Sequence, residues 1–164
     1  MEDATGDRSI TDELQHAGSE INELLQSARR RIWLHTRCGL LSALPPLDLA
    51  EAMVRVARRT RYSDVRLLID DDIELKKSQP RLVHTVTRLT TSIAVRCLAP
   101  EQDTPTKLLL IIDRGAWLYA IQHKARLTLR VERHDPSGTH TAAERFATDW
   151  AVASESLELR KLML

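Results

Sequence analysis

A change of rhythm part-way along the chain constrains the fold more than any other feature. Up to residue 98, short apolar runs alternate with stretches of helical period. Ile10, Leu14, Ala17, Ile21, Leu24, Leu25 and Ala28 recur at three- and four-residue spacing, which predicts an amphipathic helix with capping chemistry at Thr11-Asp12-Glu13. It closes near Arg29-Arg30-Arg31, where cations suit the negative end of a helix dipole. Residues 32–36 read as a strand, followed by a loop punctuated by Gly39 and Pro45-Pro46. A helix is predicted over 47–60, with Leu49, Ala50, Met53, Val54 and Ala57 on one face. A second strand, 65–69, ends in Asp70-Asp71-Asp72. Pro80 opens a third helix, reaching about residue 91, with Leu82, Val83, Val86 and Leu89 turned inward. Residues 92–98 are the third strand. Such alternation predicts a parallel sheet covered by helices, joined by right-handed crossovers.

Beyond that point the helical period fades. Residues 107–112, 117–121 and 126–132 are strand-like and closely linked, with Asp113-Arg114-Gly115 as a turn between the first two. They are expected to extend the same sheet as antiparallel pairs. A loop over 134–138 leads to a last helix, 141–154, with Ala143, Phe146, Trp150 and Ala153 on one face. The tail, 157–164, alternates Leu with polar residues and reads as an edge strand or docking segment. The expected class is α/β, with a mixed central sheet, parallel in its first part and antiparallel in its second, and helices on both faces. One domain over 10–164 is expected behind a disordered lead-in, 1–9.

Composition narrows the function. Apolar residues make up 43% and charged residues 29%, the balance of a soluble globular protein, and only 4% aromatic content leaves the core to Leu, Ile, Val and Ala. A net charge of +1 supplies no global field, so binding to nucleic acid needs a local patch. Cys38 and Cys97 match no metal spacing and are expected to be free and buried. The start of the chain is polar and acidic, unlike a signal peptide, and the apolar runs 108–112 and 116–121 are too short to span a bilayer. A cytoplasmic location without membrane insertion or cofactor is the expectation.

Three features together resemble one half of the phospholipase D superfamily. From Ala28 the chain runs through a strand and an Ala- and Arg-rich helix to Asp64-Val65-Arg66-Leu67-Leu68-Ile69, similar to that family's first two strands. Lys107-Leu108-Leu109-Leu110-Ile111-Ile112-Asp113 looks like the strand and turn of its His-x-Lys-x4-Asp motif. Phe146 and Trp150 resemble its closing Phe-x3-Trp pattern. More narrowly, the chain resembles an uncharacterised phospholipase D-like bacterial domain lacking that motif. The resemblance implies a histidine nucleophile and a second half or subunit. Here Lys107 matches the motif lysine, but Pro105 stands at the histidine position and Asp113 arrives one residue late. His35-Thr36-Arg37 has the nearest spacing elsewhere, with Ser42 at the aspartate position. A covalent phospho-histidine step is therefore not expected.

Other candidates each have a plain structural alternative. His35 and Arg37, near the end of the first strand, are candidate phosphate contacts, against a histidine bonded to the backbone. Arg55, Arg58 and Arg59 share a helix face and with Arg29 to Arg31 form a candidate phosphate stripe, against dipole compensation. Asp70, Asp71 and Asp72 lie where open α/β sheets bind ligands and are candidate Mg²⁺ ligands, against a solvated acidic loop. The leading reading is a non-catalytic binding, regulatory or interaction module, self-associating or bound to another protein. The alternatives are nucleic-acid or phosphate-ligand binding through an Arg-rich face, and a metal-dependent phosphodiesterase with a non-standard site.

Overall fold

The computed structural model describes residues 9–162. The elements run α1 (Ile10–Ser27), β1 (Arg31–Thr36), α2 (Cys38–Ala43), α3 (Leu49–Arg59), β2 (Asp64–Ile69), α4 (Asp72–Ser78), α5 (Pro80–Arg88), β3 (Ile93–Cys97), β4 (Thr106–Ile112), β5 (Ala116–His123), β6 (Arg126–Glu132), α6 (Pro136–Val152), β7 (Ser154–Glu155) and α7 (Leu157–Leu162). They build a seven-stranded sheet of order β6-β5-β4-β1-β2-β3-β7. β1, β2 and β3 pair in parallel. β4 joins β1 antiparallel, and β5 and β6 continue antiparallel. The mixed α/β sheet is thus as expected.

Strand alternation divides the core into two layers. Ile32, Leu34, Val65, Leu67, Ile69, Leu108, Leu110 and Ile112 pack with α1, α2, α3, α4, α5 and α7 on one side. Trp33, Leu68, Leu109 and Ile111 face the other side, where Ala143, Phe146 and Trp150 of α6 cover them. A single helix cannot blanket seven strands. The flanks of α6 are therefore where sheet side chains reach solvent.

Several local expectations need correction. α1 is capped by Ser9, whose hydroxyl accepts from Asp12 N, two residues before Thr11; the rest of the expected lead-in lies outside the described residues. The basic run 29–31 lies past the end of α1. The helix C-terminus is met instead by Arg55, whose Nη2 donates to Leu25 O at 2.6 Å. The loop at Gly39 begins as α2, and α6 starts at Pro136 because Asp135 accepts from Gly138 N. The described part of the tail is α7, a docking segment held through buried Leu159 and not a strand; the two-residue β7 that pairs with Arg96 and Cys97 precedes it, where the last helix was expected to end. Met163 and Leu164, the end of the expected tail, lie outside the described residues.

Candidate phosphate-binding face

The three parallel strands each contribute one arginine to the α6 side of the sheet. Arg31 lies opposite Asp64, Trp33 opposite Arg66, and Leu68 opposite Arg96. Because side chains two apart share a face, Arg31, Trp33 and His35 on β1 line up beside Asp64, Arg66 and Leu68 on β2, and Ala94 and Arg96 on β3. α6 then lays an aromatic stack beside them. Trp33 stacks on Phe146 at 4.9 Å between ring centroids, and Phe146 on Trp150 at 5.7 Å.

The guanidiniums interleave with these rings. Arg31 and Arg66 each lie 4.6 Å from the Trp33 centroid, and Arg66 is also 5.4 Å from Trp150. Arg96 lies 4.7 Å from Trp150. Each arginine has a hydrogen-bonded tether. Arg31 Nε donates to Asp113 O at 2.8 Å, Arg66 Nε to Asp64 Oδ1 at 2.9 Å, and Arg96 Nη1 to Trp150 O at 2.8 Å. A planar guanidinium has five N–H donors, so the tethers fix orientation and leave donors for the oxygens of an anion such as phosphate. Burial lowers the Arg31 pKa, with Asp64 and Asp113 opposing and Arg114 and Arg66 adding to the shift. A groove of about 530 Å³ around β3 includes Arg66, Ala94, Arg96 and Trp150 in its walls.

The residues singled out from the sequence are dispersed. Arg55 is occupied at the end of α1, and exposed Arg58 and Arg59 sit on α3, across the sheet from Arg66 and Arg96. Arg31 turns to the α6 side, so the expected stripe with the α3 arginines does not assemble. His35 does lie on the α6 side. It meets Phe146 edge-on, and its Nδ1 is 3.7 Å from Asp149 Oδ2. Burial lowers the His35 pKa, and Asp149 and Asp70 oppose this while Lys107 reinforces it. Arg37 Nη2 donates to Thr104 Oγ1 at 2.8 Å and secures the segment before β4.

Lys107 and Asp113 stand at opposite ends of β4. Half-buried Pro105 directly precedes that strand. Asp113, at φ 52°, accepts from the backbone N–H groups of Arg29, Arg30 and Arg31 through its carboxylate. That carboxylate organises the start of β1.

The three aspartates after β2 diverge to three helices. Asp70 Oδ1 accepts from Cys38 N at the start of α2. Asp71 caps α4 through Ile73 N and Glu74 N. Asp72 Oδ2 accepts from Ser156 Oγ and Glu158 N at the start of α7. The candidate Mg²⁺ loop is therefore a set of helix caps, each favoured by the positive end of a helix dipole. No group of three or more His, Cys, Asp or Glu side chains is arranged for a metal among the described residues. Asp71 and Glu74 already carry the spacing of a capping box, a signal the sequence reading passed over.

Both cysteines are free; Cys38 is buried, while Cys97 is half-buried rather than buried as expected. Burial pushes the Cys38 thiol up to about 12 and the Cys97 thiol up to about 11, with Asp70 and Asp72 respectively adding to the effect.

Residues 13–162 match the domain of unknown function DUF7931. The chain belongs to that family. No curated protein matches the DUF7931 chain. Among solved structures, it is similar to TrmBL2, described as an archaeal chromatin protein with a novel mode of DNA binding. The TM-score is 0.61 at 18% identity, with 91% of this chain and 52% of that one covered. The DUF7931 domain thus spans about half the length of TrmBL2. It is also similar to Nuc, a phospholipase D family member from Salmonella typhimurium, with a TM-score of 0.60 at 15% identity, covering 83% of this chain and 88% of that one. At these identities the likeness is one of fold, and the DUF7931 fold is phospholipase D-like. No described helix is long and apolar enough to cross a membrane.

Arg31 reads from the sequence as part of the basic run 29–31, and Arg66 and Arg96 lie inside apolar runs, so only the pairing of β1, β2 and β3 brings the arginine–tryptophan face together. One signal was available. Each of those strands carries an arginine at a position whose neighbours two away share its face.

Proposed function

We propose that this domain is a non-catalytic binding module on a phospholipase D-like scaffold, and that its ligand is a nucleic acid held by its phosphates. The observation that carries the reading is the row of Arg31, Arg66 and Arg96 braced on Trp33 and Trp150. Phosphate contacts supply most sequence-independent affinity for nucleic acid, and braced guanidiniums make them at low entropic cost. The DNA binding described for TrmBL2, a neighbour in fold, supports the same reading. Pro105 at the motif histidine position supports the absence of chemistry, since proline offers no nucleophile. The commitment of Asp70, Asp71 and Asp72 to helix ends weighs against the metal-dependent alternative.

Titration of labelled single- and double-stranded DNA and RNA, at low and physiological salt, tests the reading. Wild type is expected to bind with strong salt dependence, Arg66→Ala and Arg96→Ala to bind more weakly, and Arg58→Ala to match wild type. Loss of binding in Arg58→Ala alone would move the interface to α3. No binding by any nucleic acid would sink this reading in favour of a protein-interaction scaffold.

Self-association is a second reading. β7 covers only the Arg96 and Cys97 end of β3, leaving the edge at 93–95 for another strand. A monomer in light scattering at high concentration would overturn it.

A further inference from the structure

The arginine row continues past Arg31 to a cavity at the other end of α6, and what it holds rests on the nucleic-acid reading just given. α6 begins against the turn between β4 and β5, where Asp135 N donates to Gly115 O at 2.8 Å and Trp117 Nε1 donates to Asp135 Oδ2 at 3.1 Å. This arrangement leaves a cavity of about 410 Å³ bounded by Arg31 and Arg114 and by Pro136, His140 and Ala143 of α6.

The carboxylates in the neighbourhood are all engaged. Asp135 accepts from Gly138 N and Trp117 Nε1, and Asp64 from Arg66 Nε. Asp113 accepts from three backbone N–H groups, and Glu144 pairs with His140 at 3.2 Å. Arg114 is exposed, and no hydrogen bond or ion pair to another described residue holds its guanidinium. Two cations thus border one concave space.

We propose that the cavity between Arg31 and Arg114 seats a terminal phosphate monoester, the phosphorylated end of a strand whose backbone lies along Arg66 and Arg96. A monoester carries about −1.5 to −2 charges at pH 7 and three acceptor oxygens, which two guanidinium forks can share. An interior diester carries one charge and has chain leaving in both directions. Pro136 and Ala143 line the cavity on the α6 side, so the two guanidiniums are its cationic border opposite that wall.

The test is a binding competition on the full chain with oligothymidylates that carry a 5′-phosphate, a 3′-phosphate or hydroxyl ends only. One phosphorylated end is expected to bind about tenfold more tightly than the hydroxyl-ended strand, the scale of a charge-assisted contact. That preference is expected to vanish in Arg114→Ala, with hydroxyl-ended affinity nearly unchanged. Among the described residues the Arg114 side chain has no hydrogen bond or ion pair to lose, so this variant is expected to fold. Equal binding of all three strands, or a phosphate preference that survives Arg114→Ala, overturns the seat and leaves the arginine face standing. Absence of binding by every strand overturns both.

Discussion

The Asp72 carboxylate accepts the Ser156 hydroxyl at 2.9 Å, joining residues 84 positions apart. The same oxygen accepts Glu158 N at 3.1 Å, so one side chain both caps α7 and fastens the C-terminal segment beside α4. Asp72→Ala is expected to cost about 1–3 kcal/mol, the range for hydrogen bonds to a charged group with one partner buried. The urea midpoint measures the loss. Amide exchange should accelerate first over 157–162, and uniform acceleration across the sheet would contradict a local fastening role.

Asp113 combines a left-handed backbone with three accepted N–H groups. Asn tolerates that conformation and keeps a neutral acceptor, Gly tolerates it without an acceptor, and Ala does neither. Stability is expected to fall in the order Asn, Gly, Ala, with Ala losing about 2 kcal/mol or more. Equal stability of Asp113→Gly and Asp113→Ala in urea would show that backbone conformation contributes nothing here.

His35 gives the fold a pH dependence of known sign. Its folded pKa lies below the ordinary 6.5 because burial disfavours the imidazolium. The unfolded chain therefore binds the proton more readily, and stability is lost as pH falls below about 6.5 and levels out below the folded value. His35→Gln is expected to flatten that acid-side slope. In NMR titration, Asp149→Asn should lower the His35 midpoint further, since the Asp149 charge raises it. An upward move would exclude Asp149 as the opposing charge.

The thiols are expected to be inert in the folded protein. With Cys38 near 12 and Cys97 near 11, little thiolate exists at pH 8. Alkylation of native protein should run at least about a hundredfold slower than that of an unperturbed thiol, and recover in denaturant. Rapid native labelling of half-buried Cys97 would contradict this.

Much of the layout was legible because it is local. Helical period announced α1, α3 and α5, and short apolar runs announced the strands that carry Ile32, Leu67 and Leu110 into the core. The short helices were harder. α2 and α4 span 6 and 7 residues, too few for a period to emerge, and α4 is recognisable mainly by its cap.

The sequence by itself determined the α/β class and the parallel start and antiparallel finish of the sheet. Each follows from residue types and spacings within a few positions. Tertiary structure alone decided that β4 lies beside β1, that Asp70, Asp71 and Asp72 serve three helices, and that Arg31, Arg66 and Arg96 stand together on one face. Those outcomes depend on strand pairing and helix docking between residues tens of positions apart. Hydrophobic burial and backbone hydrogen bonding over the whole sheet select those partners, and no local pattern encodes them.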